Sequence, residues 1–120
     1  MRLRILSWNV RGVNDKDKRR LIKNVIKSQK VDLVCLQETK IQEMSNGMVR
    51  SLGIGRCLEW RALNSRGATR GFVVFWDNRV LQMVEMEVGK FIISCRFKNC
   101  DGGFCWSFSE VYGPTVKVER

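Results

Sequence analysis

The apolar positions of the first 36 residues change period twice. From Arg2 to Val10 (RLRILSWNV), Leu3 and Ile5 alternate with basic neighbours before an apolar run, which predicts a strand ending in the loop signal Asn9-Val10-Arg11-Gly12. From Asp17 to Lys30, Leu21, Ile22, Val25 and Ile26 fall on one helical stripe while Lys18, Arg19, Arg20, Lys23 and Lys27 fall on the others. This predicts a basic amphipathic helix with Asn14 or Asp15 as N-cap. Val31 to Leu36 (VDLVCL) is short, apolar and β-branched, a second strand. Residues 2 to 36 thus read as strand, helix, strand, with Gln37, Glu38 and Thr39 at the C-terminal end of the second strand.

Ile41 to Leu52 carries a weaker helical pattern, interrupted by Gly47 at a cost of about 1 kcal/mol and stopped by Gly53 and Gly55. After Gly55 the period shortens. Cys57–Leu63, Gly71–Trp76, Val80–Val88, Phe91–Phe97 and Phe104–Val111 read as strands separated by Arg-Gly, Asp-Asn, Gly-Lys and Asp-Gly-Gly turn signals, predicting an antiparallel meander. The chain shows neither repeat nor linker, and its 120 residues suit one small domain. Pro114, the only proline, is followed by six residues, too few for another element.

Composition adds direction. An apolar fraction of 44% separates the chain from disordered sequences, and 22 Lys plus Arg against 12 Asp plus Glu gives a net charge of +10. That excess favours a polyanionic partner, with nucleic acid ahead of an anionic membrane. The basic helix has a short apolar face without the Trp or Phe of an interfacial anchor, and no apolar run approaches a membrane span, so no membrane role is expected. Five cysteines and no signal peptide fit a reducing intracellular compartment, nuclear for a DNA partner and not secreted. Cys95, Cys100 and Cys105 lack zinc-like spacing and read as buried, reduced strand residues. The four tryptophans, Trp8, Trp60, Trp76 and Trp106, all lie in predicted strands and read as packing residues rather than base-stacking platforms. No feature points to a stable protein partner. The chain contains no histidine, which removes the commonest general base and metal ligand.

Chemistry concentrates where the strands end. Asn9 puts a carboxamide at the end of the first strand, able to hydrogen-bond a phosphate or a metal-bound water, although a strand-end Asn is also an ordinary turn former. Glu38 ends the second with a carboxylate of the kind Mg²⁺ takes, although a lone strand-end Glu is ordinarily just solvated. Two strands joined through a helix place both ends on one side of a sheet, where ligands gather.

The strings Ile5-Leu6-Ser7-Trp8-Asn9-Val10-Arg11-Gly12 and Val34-Cys35-Leu36-Gln37-Glu38-Thr39-Lys40 are similar to the first two motifs of the endonuclease/exonuclease/phosphatase superfamily. Arg66 to Asp77 is similar to its Gly-rich strand, and Val111-Tyr112-Gly113-Pro114 to its tyrosine motif. The wording around Arg19-Arg20-Leu21-Ile22 and Cys35 to Lys40 most resembles endonuclease domains of plant LINE-type retrotransposons, which are apurinic-endonuclease-like.

The resemblance implies an α/β fold, part of the four-layer α/β sandwich of DNase I-like proteins. Residues 1–120 would then be the N-terminal part of a single domain, about half of it, cut after the tyrosine motif. It implies a Mg²⁺-dependent phosphodiesterase that nicks DNA for retrotransposition. Glu38 would bind Mg²⁺, Asn9 would help arrange metal and phosphate, and Tyr112 would hydrogen-bond the scissile phosphate. Arg11, Lys40 and Arg70 would contact nucleic acid. The family's later motifs, a paired Asp and Asn, a further Asp and a terminal Ser-Asp-His, are not in the chain, so the isolated chain is expected to be inactive. Two departures stand out: the family's paired glycines are Arg70-Gly71 here, and Glu110, two residues before Tyr112, adds a negative charge that disfavours phosphate approach. The alternatives are a non-catalytic basic nucleic-acid-binding module and a sugar-phosphate or lipid phosphatase of the same superfamily, against which the basic balance argues.

Overall fold

A computed structural model of the chain describes residues 3–66 and 70–111. In order, the elements are β1 (Ile5–Asn9), α1 (Lys16–Gln29), β2 (Leu33–Gln37), α2 (Asn46–Leu52), β3 (Leu58–Leu63), β4 (Phe72–Asp77), β5 (Leu81–Val88), β6 (Ile92–Asn99) and β7 (Cys105–Val111). They build a mixed α/β structure of two sheets, one in the order β1-β2-β4-β3 and the other β5-β6-β7. β1 and β2 run parallel, and every other pairing is antiparallel.

The expected strand–helix–strand opening is present. Asp15 caps α1, its side chain accepting from the Asp17 amide at 2.9 Å, and Lys30 closes the helix in the left-handed conformation at φ 50°. Ile22 and Ile26 are buried beneath it, whereas Leu21 of the same predicted stripe stays half exposed. The second helix is shorter than the pattern predicts. Ser45 caps it by accepting from the Met48 amide, so it begins at Asn46. The Ile41–Met44 stretch pairs elsewhere instead: the Ile41 carbonyl accepts from the Ser65 amide, and the Met44 amide donates to the Asn64 carboxamide.

The meander expected over the whole second half is confined to β5–β7. β3 and β4 join the first sheet, β4 pairing with β2 so that Cys35 faces Val74 and Gln37 faces Phe72. Full burial on both faces explains this choice: Phe72, Val73, Val74, Phe75 and Trp76 are all within 1% of complete burial, a continuous apolar run that only a central strand satisfies. One face of this sheet, through Val34, Leu36, Val73 and Phe75, packs under the helices with Ile22, Ile26, Val49 and Leu52. The other, through Leu33, Cys35, Phe72, Val74 and Trp76, meets Leu81, Ile93, Cys95 and Phe97 of the second sheet. Trp76 meets Phe97 edge-on at 5.2 Å, and Trp106 stacks on the same ring at 5.3 Å. The expected packing role thus holds for these two tryptophans, and Trp8 and Trp60 are partly buried against the helix-side core. A bulge at Val84, between Met83 and Glu85, shifts register so that both Met83 and Met86 reach the inter-sheet core.

Among the described residues the layers are therefore three: helices, sheet, sheet. The outer face of the second sheet is polar, with Ser94 and Ser109 hydrogen-bonded across it at 2.8 Å. Apolar surface is exposed at Ile5, Ile92, Phe104 and Val111. The cysteines divide: Cys35 and Cys95 are buried in the inter-sheet core, but Cys100 and Cys105, expected inside, are exposed. They lie at the 99–105 turn, where the chain leaves the sheet.

Two stability predictions come from this packing. Gly71 adopts φ +91°, and a Cβ there would lie 2.3 Å from the Thr39 hydroxyl and 3.2 Å from the Lys40 amide. Gly71→Ala should therefore cost about 1–3 kcal/mol, seen as a lower urea midpoint. Gly55→Ala, with φ +98° and nothing within 4 Å, should lose less; equal losses would refute the steric account.

Burial, then the charge of Glu110, pushes the Cys95 thiol up to about 11 from an ordinary 9.0. Cys35 is likewise raised, by burial first, then by Glu110 and Cys95. Between pH 9 and 11 the unfolded thiols ionise while the folded ones stay protonated. Stability from these groups is hence complete below pH 9 and falls as pH rises through that window. Urea midpoints at pH 8 and pH 10.5 should drop more for the native chain than for Cys95→Ala; identical drops would remove the thiols as the cause.

Candidate functional site

The site grows from the way β1, β2 and β4 terminate. Asn9, the last residue of β1, pairs with Gln37, the last of β2. The chains do not part there. Val10, Gly12 and Val13 amides donate to the carbonyls of Gln37, Glu38 and Thr39 at 3.0, 2.7 and 3.1 Å, extending the ladder beyond both strands. On the other side the Thr39 and Lys40 amides donate to the carbonyls of Gly71 and Arg70 at 3.3 and 2.7 Å. Residues 38–40 are thus held between two neighbouring segments.

Holding them bends the backbone. Four described non-glycine residues have positive φ, and three are here: Arg11 at 53°, Glu38 at 55° and Lys40 at 56°. Each left-handed residue costs on the order of 1 kcal/mol and persists only where its surroundings over-determine it, a condition met most often at functional sites. Gly12 (φ 103°) and Gly71 (φ 91°) supply the turns that side chains would obstruct. Thr39, between Glu38 and Lys40, is fully buried, and its hydroxyl is without a hydrogen-bond partner.

The side chains at this end are mostly charged. The Glu38 carboxylate, 19% exposed, accepts from the Arg70 guanidinium at 3.0 Å, and Arg70 is 54% exposed. Asn9 is exposed, and its carboxamide oxygen accepts from the Arg11 amide at 3.2 Å, a short turn that orients it. Arg11 and Lys40 are exposed, and the Lys40 carbonyl accepts from Asn14 at 3.4 Å. Across the gap between the sheets, Gln37 Nε2 donates to Glu110 Oε2 at 2.8 Å.

The residues expected from sequence therefore gather at one end of the first sheet: Asn9 and Glu38 at adjacent strand ends, with Arg11, Lys40 and Arg70 around them. Tyr112 lies outside the described residues. Arg70, expected to meet nucleic acid, is engaged by Glu38. The Gln37–Glu110 bond joins residues 73 apart; Glu110 was visible in sequence only as an added charge, and nothing local marks Gln37 as its partner.

One carboxylate and one carboxamide match the donor set of a hard cation that keeps much of its water and shares phosphate oxygens. No group of three or more His, Cys, Asp and Glu stands together among the described residues. Glu38 and Asn9 are the residues that would hold such an ion.

Comparison with known proteins places this geometry. Three solved structures share the fold: an AP endonuclease, LMAP, from Leishmania major (TM-score 0.63, 14% identity, 92% of this chain and 40% of that one), TDP2 of D. rerio complexed with single-strand DNA product (0.62, 16%, 96% and 48%), and the APE2 catalytic domain of Xenopus laevis (0.56, 19%, 90% and 44%). The chain spans less than half the length of each. No curated protein sequence matches it. A family model, Endonuclease/Exonuclease/phosphatase family, matches residues 6–107, which include Asn9, Glu38 and Arg70. The match spans most of the chain and the fold is shared with these structures: the chain belongs to the Endonuclease/Exonuclease/phosphatase family.

Proposed function

We propose that the chain carries the metal-binding part of a Mg²⁺-dependent phosphodiesterase that nicks DNA, as the N-terminal portion of one larger domain. The observation that carries this is the placement of Asn9 and Glu38 at adjacent parallel strand ends among Arg11, Lys40 and Arg70. The two AP-endonuclease-type neighbours and the DNA-bound TDP2 support nucleic acid as the substrate class, as does the net charge of +10. Retrotransposition, and with it action in the nucleus, rests on the LINE-like wording of the motifs alone.

In this reading Glu38 anchors the ion, held in place by the backbone pairing on both sides of it. Asn9, oriented by the Arg11 amide, hydrogen-bonds a phosphate oxygen or a water on the ion. Arg11 and Lys40 bind the phosphate backbone on either side. The bound Mg²⁺ would supply positive charge to the phosphoryl oxygens as they gain charge. A general base to take the proton from water is not among these residues, and the chain has no histidine. The 120 residues should therefore bind DNA without cutting it.

The second reading, a basic module with no metal chemistry, is favoured by the same charge and separated by one experiment. Fluorescence anisotropy with a labelled DNA duplex should show binding that weakens steeply with salt and tightens with MgCl₂. Glu38→Gln should abolish the Mg²⁺ effect while leaving the salt-dependent binding, and plasmid should stay un-nicked. Binding indifferent both to Mg²⁺ and to Glu38→Gln would sink the metal reading in favour of the basic module.

A further inference from the structure

We infer that Arg70 is a resident counter-ion of Glu38, occupying by its guanidinium the place a divalent cation takes, so that metal binding displaces it. The inference rests on the proposed role of Glu38.

Three observations lead to it. First, the Arg70 guanidinium lies 3.0 Å from Oε1 of the one carboxylate the site offers, so guanidinium and ion compete for that oxygen. Second, both partners are fixed at the backbone. The Arg70 carbonyl accepts from the Lys40 amide at 2.7 Å, and the Glu38 carbonyl accepts from the Gly12 amide at 2.7 Å. The ion pair can open by rotation of the Arg70 side chain alone, which is 54% exposed and has solvent to turn into. Third, the corner is closed at position 71 and open at position 70: a Cβ at Gly71 would lie 2.3 Å from the Thr39 hydroxyl, whereas the 54%-exposed Arg70 side chain runs out to the Glu38 carboxylate. An exposed pair of this kind adds little to stability, so its consequence is electrostatic.

The exchange has two effects. In the metal-free chain Arg70 neutralises Glu38 and weakens its affinity for a cation, both by occupying the oxygen and by like-charge repulsion once the ion is bound. When the ion binds, the guanidinium is released beside it, free to take a phosphate oxygen. Metal and nucleic acid are thereby linked, each strengthening the other by the same factor.

The test uses the full chain and Mn²⁺ as the probe, with free ion counted by electron paramagnetic resonance and folding checked by circular dichroism. Arg70→Gln should bind Mn²⁺ about tenfold more tightly than the native chain, the scale of one like charge removed from a partly exposed site. Arg70→Lys, which keeps the charge, should stay within about threefold of the native value, and Glu38→Gln should abolish binding in every background. In a Mg²⁺ titration followed by NMR, the Arg70 side-chain resonance should shift with the same midpoint as metal binding. If Glu38→Gln abolishes binding but Arg70→Gln leaves it unchanged or weaker, the counter-ion role is overturned and the metal site stands. If Glu38→Gln leaves Mn²⁺ binding intact, or no variant binds it, the proposed function falls and the inference falls with it.

Discussion

The structure at the strand ends depends on five backbone hydrogen bonds that clamp residues 37–40 between the 10–13 and 70–71 segments. Without them, β1 and β2 would simply end and their side chains would splay into solvent. With them, the chain is forced through left-handed turns at Arg11, Glu38 and Lys40, conformations the residues would not choose alone. That cost is offset by the paired amides. The carboxylate of Glu38 is consequently presented from a backbone paired on both sides.

The second constraint is the stacking of two sheets whose facing surfaces are not equally apolar. Over β2 and β4 the interface is dry, closed by Phe97, Trp76 and Leu33. Toward the strand ends it turns polar, and the Gln37–Glu110 bond marks the change. Burial first, and then the nearby charge of Glu110, raises both buried thiols on the dry side. The carboxamide of Gln37 satisfies one carboxylate oxygen without neutralising it. Glu110 thus sits in the gap between the sheets, whereas Arg11, Lys40 and Arg70 stand at the rim.

Much of this was legible in the residues. The 3.6-residue stripe of Ile22 and Ile26, the Asp15 cap and the apolar run from Val31 to Leu36 identify β1-α1-β2, and parallel pairing of β1 and β2 brings Asn9 beside Gln37. What periodicity could not convey was partner choice. Phe72–Trp76 reads as an apolar strand in either sheet, and only its burial on both faces puts it beside β2. The shortened α2 has a similar origin, because Ile41–Met44 has helical spacing but its polar backbone groups find partners at Asn64 and Ser65. The Arg70–Glu38 and Gln37–Glu110 contacts link residues 32 and 73 apart, beyond the reach of any local pattern. Positive φ at Glu38 was equally hidden, since Glu is not a residue that signals a turn.

The charge arrangement explains how a site built around carboxylates can face a polyanion. Were Glu38 bare, it and Glu110 would put two negative charges where a phosphodiester must approach, and the basic rim would be partly cancelled. Pairing with Arg70 removes one of those charges at close range and leaves Glu110 bonded to Gln37 below the rim. A divalent ion bound as proposed would change the sign of the corner: a neutral Glu38–Arg70 pair would become doubly positive, the guanidinium staying tethered nearby through the Arg70 backbone. On the proposed role of Glu38, attraction for phosphate would be greatest once the ion is present, and the basic rim alone would hold a polyanion loosely.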